Sequence, residues 1–162
     1  MGQCRPGPDH EGQRALTALT EPLAEIVDEF SALGERDRLL LLLEFSRELP
    51  DPPARLLVAG NDALERVPEC QSPVSLAVEV DDDDRRTVHL FFQAPLEAPT
   101  TRGFAGILHG GLDGRPAREI LAVPADLGDR LGLARAVSPL RLRGLSGMLT
   151  RVQRRIADET VG

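Results

Sequence analysis

The sequence predicts an α+β domain: a small antiparallel β-sheet of two to three strands with helices packed on one face. Two observations lead there. Apolar residues recur at helical spacing before Cys70, switch to period two just after it, and return to helical spacing towards the C-terminus. The chain of 162 residues is 41% hydrophobic and 28% charged, which suits one compact domain with an ordinary core. Its aromatics are five Phe, so that core is built from Leu, Val, Ile and Ala.

Residues 1–18 are rich in Gly, Pro and polar groups without a sustained period and read as a disordered leader, leaving residues 19–160 as the domain. Cys4 in that leader reads as a solvent-exposed bystander. Pro6 breaks the N-myristoylation pattern. Leu23, Ile26, Val27, Phe30 and Leu33 then follow Thr20, a candidate N-cap, and stop at Gly34. A second helix runs from about Glu35 to Leu49 and ends before Pro50-Asp51-Pro52-Pro53. The two together read as a helical hairpin, and Ala54 to Val58 adds a short turn. The run LLLLL at 39–43 is apolar on nearly every face, which predicts a helix sandwiched in the core over one that leaves an apolar strip for a partner.

Val74, Leu76, Val78 and Val80 alternate with Ser75, Ala77 and Glu79; Val88, Leu90 and Phe92 alternate with His89, Phe91 and Gln93. These are two strands joined by the solvated loop DDDDRR, whose consecutive aspartates lack the alternate-position ligands of a calcium loop. His89 falls on the more polar face. His109 lies on a helix marked by Phe104, Ile107 and Leu108, where Gly103 and Gly106 predict close packing against the sheet. Short helices follow at Pro116 and around Asp126 to Leu131. The last helix has the strongest signal: Ser138 as N-cap, Pro139 at the first position, and Leu142, Leu145, Leu149, Val152 and Ile156 along one stripe.

Composition removes several functions. The net charge of −7, without a basic cluster, disfavours nucleic acid and anionic membrane surfaces as partners. All nineteen basic residues are Arg, so Schiff-base chemistry and the phosphate-loop lysine are excluded. Nothing resembles a secretory signal or a membrane span, which predicts a cytoplasmic location. Two cysteines and three scattered histidines do not supply a zinc site or a disulfide framework. What stands out is Cys70. Pro68 and Pro73 stiffen both sides of it, placing the thiol at the tip of a short connection into the first strand.

The stretch VPECQSPV around Cys70, the segment PTTRGFAGIL and the segment SPLRLRGLSGML resemble, in that order and at these separations, the SufE family of sulfur-acceptor proteins. The resemblance covers residues 19–158 and implies a SufE/IscU-like fold. It implies that Cys70 accepts a sulfane sulfur from the persulfide of a SufS-like cysteine desulfurase. The sulfur then passes to an iron–sulfur scaffold complex of the SUF system, with no cofactor. The family's arginine at the start of the last helix falls on Arg141, and its acidic residue after the second strand on Glu97. Such a protein is a transpersulfidation partner and activator of the desulfurase rather than a stand-alone enzyme, and a monomer or weak homodimer.

The chemistry agrees with a loop-borne thiol, because transfer is thiolate attack on a persulfide and needs a thiol that protrudes and deprotonates. Glu69 stands where the family pattern has Gly. At roughly 6 Å and near-aqueous screening its repulsion of the thiolate is under ~1 kcal/mol, which Arg141 at a similar distance offsets. Arg143 replaces an amide found in many relatives. Cys70 also reads as a small buried hydrophobe, which is compatible with transfer when the thiol packs under the loop at rest and swings out on docking. The reading that stands against sulfur transfer is an interaction module that regulates a desulfurase without carrying sulfur. A cluster scaffold is disfavoured, since ligation calls for several thiolates.

Overall fold

The computed structural model describes residues 18–58 and 63–161. Apart from Ala18, the predicted leader with Cys4 lies outside the described residues. Among the described residues ten elements follow in order: α1 (Glu21–Ser31), α2 (Glu35–Glu48), a 3-10 turn (Ala54–Leu56), β1 (Glu65–Arg66), β2 (Ser75–Val80), β3 (Val88–Gln93), α3 (Pro99–Leu112), α4 (Ala117–Leu121), α5 (Leu127–Arg130) and α6 (Pro139–Val161). This is the α+β arrangement expected from the switch in periodicity.

The sheet is antiparallel with strand order β1-β2-β3. Leu76 pairs with Phe92, Val78 with Leu90 and Val80 with Val88, and this face receives the helices; the opposite face carries Ala77 beside Phe91 and Glu79 beside His89. The 3-10 turn lies over that second face, where the Arg55 guanidinium sits 5.6 Å from the Phe91 ring centroid and pairs with Glu79. His89 takes a hydrogen bond with Asp81 at 2.8 Å, as a histidine on the polar face should.

Helix α3 is the centre of the molecule: α1, α2, α6 and β3 all pack on it. Its glycines explain why. A Cβ at Gly103 would lie 2.6 Å from the Leu42 carbonyl oxygen, and one at Gly106 would lie 2.3 Å from that of Phe45. The glycines therefore serve a backbone approach to α2, not to the sheet as the spacing predicted. Thr20 caps α1 by accepting from the Leu23 N–H at 3.2 Å and donates its own proton to the Gly111 carbonyl, pinning α1 to the end of α3. The predicted hairpin of α1 and α2 is correspondingly loose. The two helices touch through Phe30 and Phe45, whose ring centroids are 5.9 Å apart, while each packs mainly along α3.

One side of α2 is solvent-facing, which overturns the core reading of the LLLLL run. Leu42 is buried, but Leu39 and Leu40 are 39% and 53% exposed. A helix lying on a single neighbour buries one stripe, so five consecutive leucines cannot all be inside.

Arg102 closes the core beneath the sheet. Its buried guanidinium donates to the carbonyls of Ser46 (2.8 Å), Ala94 (2.8 Å) and Leu49 (3.1 Å), joining the end of α2 to the exit of β3. That bracket fixes the base of the β3–α3 junction, residues 94–98, which carries Glu97.

Candidate functional site around Cys70

β1 and β2 are joined by residues 67–74, and the backbone shapes this connection. The Val67 N–H donates to the Val74 carbonyl at 2.9 Å, continuing the ladder, and the Cys70 N–H donates to the Val67 carbonyl at 3.2 Å. Cys70 thus rides at the tip, as its flanking prolines predicted. The tip is folded down, however, onto α6. The Cys70 thiol lies 3.7 Å from the Gly144 carbonyl oxygen and is half-buried.

The approach depends on two glycines in α6. A Cβ at Gly144 would come within 3.2 Å of Cys70 Sγ, and one at Gly147 within 2.7 Å of Glu69 Cβ. The spacing of three puts both on one helical face, and Arg151, four residues further, continues that stripe.

In front of the thiol is a cavity of about 290 Å³. It is lined by Cys70, Gln71 and Ser72 from the connection, by Glu97 and Ala98 from the β3–α3 junction, by Pro99, Thr100 and Thr101 from the start of α3, and by Leu140, Arg141 and Gly144 from α6. The three residues singled out from the sequence, Cys70, Glu97 and Arg141, therefore meet in one depression although they come from three separate elements. Glu97 and Arg141 are both exposed. Arg141 Nη1 donates to Thr100 Oγ1 at 3.2 Å, so its hydrogen-bond partner in the cavity is a hydroxyl rather than the Glu97 carboxylate. Arg143 points elsewhere on α6: it is exposed and outside the cavity lining.

Two helix N-termini converge here. The N–H groups of Thr100 and Thr101 precede the first intrahelical donor of α3, which is Arg102 N donating to Ala98 O. At α6, the Ser138 hydroxyl accepts from Arg141 N at 3.3 Å. Both ends carry partial positive charge, and with the Arg141 guanidinium they make the cavity favourable to an anion.

The thiol itself is held in the opposite state. Burial first, and the neighbouring Glu69 carboxylate second, push the Cys70 pKa from 9.0 up to about 11, with Arg151 pulling the other way. The cation that offsets Glu69 is thus Arg151, where the sequence suggested Arg141. Arg151 forks onto Glu69 (Nε to Oε2 3.1 Å, Nη2 to Oε1 3.0 Å) and reaches Glu65 Oε1 through Nη1 at 2.7 Å. This fork holds the Glu69 carboxyl below its ordinary range. Sequence reasoning missed Arg151, which lies 82 positions from Glu69; the available signal was the stripe Gly144, Gly147, Arg151 on a helix otherwise rich in solvated arginines.

Among the described residues, no three His, Cys, Asp or Glu side chains converge as a metal site, and no helix is long and apolar enough to cross a membrane.

The SufE family model, described as an Fe-S metabolism associated domain, matches residues 24–156. The chain belongs to the SufE family. An uncharacterized SufE-like protein of Mycobacterium tuberculosis is 54% identical over 144 residues, 89% of this chain and 97% of that relative. The SufE-like protein 1 of Arabidopsis thaliana, chloroplastic/mitochondrial, is 30% identical over 86% of this chain and 36% of its own length. Among solved structures, the solution structure of a hypothetical protein from Thermus thermophilus superposes with a TM-score of 0.76 at 35% identity, covering 89% of this SufE-family chain and 99% of that one. Family and fold therefore agree with the resemblance carried by the three sequence segments.

Proposed function

We propose that this protein is a cytoplasmic sulfur acceptor that takes the outer sulfur of a cysteine desulfurase persulfide onto Cys70, stimulates that enzyme, and hands the sulfur to an iron–sulfur assembly scaffold. The observation that carries this reading is the convergence of Cys70, Glu97, Arg141 and two helix N-termini on one cavity. In the transfer, the Cys70 thiolate attacks the outer sulfur of the donor persulfide. A new S–S bond forms at Cys70, the donor's S–S bond breaks, and the donor cysteine leaves as thiolate, so no net oxidation occurs.

At rest the thiol keeps its proton against Gly144. A swing of the tip towards the cavity removes the burial that holds the proton and brings the sulfur to the cationic ends of α3 and α6, where thiolate and persulfide anion are favoured. A protein partner fits the cavity mouth: Leu140 on its wall and Leu96 beside Glu97 are 46% and 77% exposed.

The test is mass spectrometry after incubation with cysteine and a cysteine desulfurase. Wild type and Cys4→Ser should gain one sulfur atom on Cys70, and Cys70→Ser should gain none and fail to stimulate sulfide release. Full stimulation by Cys70→Ser would transfer the assignment to an interaction module that carries no sulfur.

A further inference from the structure

We propose that Arg151 is the positioning residue of Cys70: it clasps the entry side of the cysteine-bearing connection, through Glu65 on β1 and Glu69 next to the thiol, and so holds the thiol down on α6. The inference rests on Cys70 being the sulfur acceptor, and it gives the resting state of that acceptor a physical cause.

Three observations support it. The guanidinium spends all three nitrogens on carboxylate oxygens, two on Glu69 and one on Glu65. The Arg151 side chain is only 14% exposed while Glu65 and Glu69 are 33% and 43% exposed, so the guanidinium end of each pair is shielded from solvent and the carboxylate end is partly open to it. Third, the bare backbone at Gly144 and Gly147 gives the tip a seat but no side chain to grip, so that beside the core packing of Val67, Val74 and Cys70 its polar hold on α6 comes from the Arg151 clasp and the weak thiol contact.

The other nearby cations do not share the role. Arg155 stands 3.9 Å from Glu65, and Arg154 acts on Glu69 only through its charge. Without Arg151, the two carboxylates lose the cation between them and repel, which lifts the connection from the helix. Transfer chemistry as such makes no use of Arg151; its effect is on where the nucleophile rests.

Charge alone and clasping predict opposite signs for one substitution, which makes the test sharp. Arg151→Gln removes a cation that lowers the thiol pKa, so a purely electrostatic role slows alkylation of Cys70. Release of a clasp uncovers the thiol and reduces the burial that is the larger cause of its raised pKa. Iodoacetamide labelling of Cys70 in the isolated full-length chain at pH 8, read on its own peptide so that Cys4 does not interfere, should therefore accelerate about threefold to tenfold in Arg151→Gln, as expected for local opening.

Arg151→Lys, which keeps the charge but not the fork, should fall between the two. The acceleration should be flat in low urea, because local opening exposes little new surface. An unchanged or slower rate in Arg151→Gln overturns the proposal, and so does a rise that grows with urea in step with global unfolding. Because no desulfurase is present, these outcomes are separate from the sulfur-transfer assay on Cys70→Ser, which alone decides the acceptor role.

Discussion

A thiol half withdrawn from water beside a carboxylate holds its proton longer than a free one, and at Cys70 the pKa rises from 9.0 to about 11. The sign for stability follows. Between those values the unfolded chain has released the proton and the folded chain retains it, so the folded state binds more protons and stability falls as pH rises through that window; below pH 9 the contribution is fully present. Labelling of Cys70 against pH should give a midpoint near 11 in the isolated protein, and the thermal midpoint of wild type should drop more steeply than that of Cys70→Ser from pH 9 to 11. At this scale the sequence was informative about identity and silent about state. A loop thiol between two prolines could be located, and Glu97 and Arg141 could be placed by resemblance to a family. The burial of that thiol depends on Gly144 and the clasp on Arg151, both more than 70 positions away in the chain, and long-range pairing has no local signature.

Helix α6 shows how one element brings several functions to one place. Its N-cap Ser138, with Pro139 behind it, starts the helix so that Arg141 falls on the cavity wall; its stripe of Leu145, Leu149, Val152 and Ile156 buries against the core, joined by Met148. The periodicity made this helix legible almost to the residue, and the same reasoning failed for α2, where hydrophobicity on every face could not show which face had a neighbour. β1, with two residues, was too short to show alternation at all. For Arg141 the structure sharpens the expected outcome of mutation. Its side chain is exposed and makes one hydrogen bond to a neutral hydroxyl on Thr100. Arg141→Ala should therefore leave the thermal midpoint nearly unchanged, since exposed substitutions usually fall within about ±0.5 kcal/mol. It should slow sulfur transfer about tenfold, the worth of one charge-assisted contact to the transferred sulfur. A fork gripping Glu97 would make Lys a poor substitute, whereas a single bond to a hydroxyl lets Arg141→Lys recover most of the rate. Transfer rate measured beside thermal midpoint for the three proteins checks both statements.

Over the whole molecule, the position of the site depends on how closely α2 lies on α3, because Arg102 carries that contact to the β3–α3 junction through the carbonyls of Ser46, Leu49 and Ala94. Two glycines in the same helix, four residues apart, test this with opposite signs. At Gly106 an added Cβ would meet the Phe45 carbonyl oxygen at 2.3 Å and its carbon at 2.8 Å, and backbone cannot step aside as a side-chain end can. Gly106→Ala must push α2 away from α3, an overpacking that costs about 1–3 kcal/mol. For a chain of this size each kcal/mol moves the thermal midpoint by about 2–4 °C. At Gly110 the nearest atoms to an added Cβ are Ile26 Cδ1 at 3.7 Å and Phe45 Cε1 at 3.8 Å, which is ordinary contact. Gly110→Ala therefore keeps the geometry and removes the entropic penalty of glycine in a helix, a gain of about 0.5–1 kcal/mol. Thermal or urea unfolding of the two variants should move in opposite directions from wild type. Gly106→Ala should also weaken sulfur transfer beyond its loss of stability, because α2 moves the carbonyls that Arg102 holds and with them the junction bearing Glu97; Gly110→Ala should transfer at the wild-type rate.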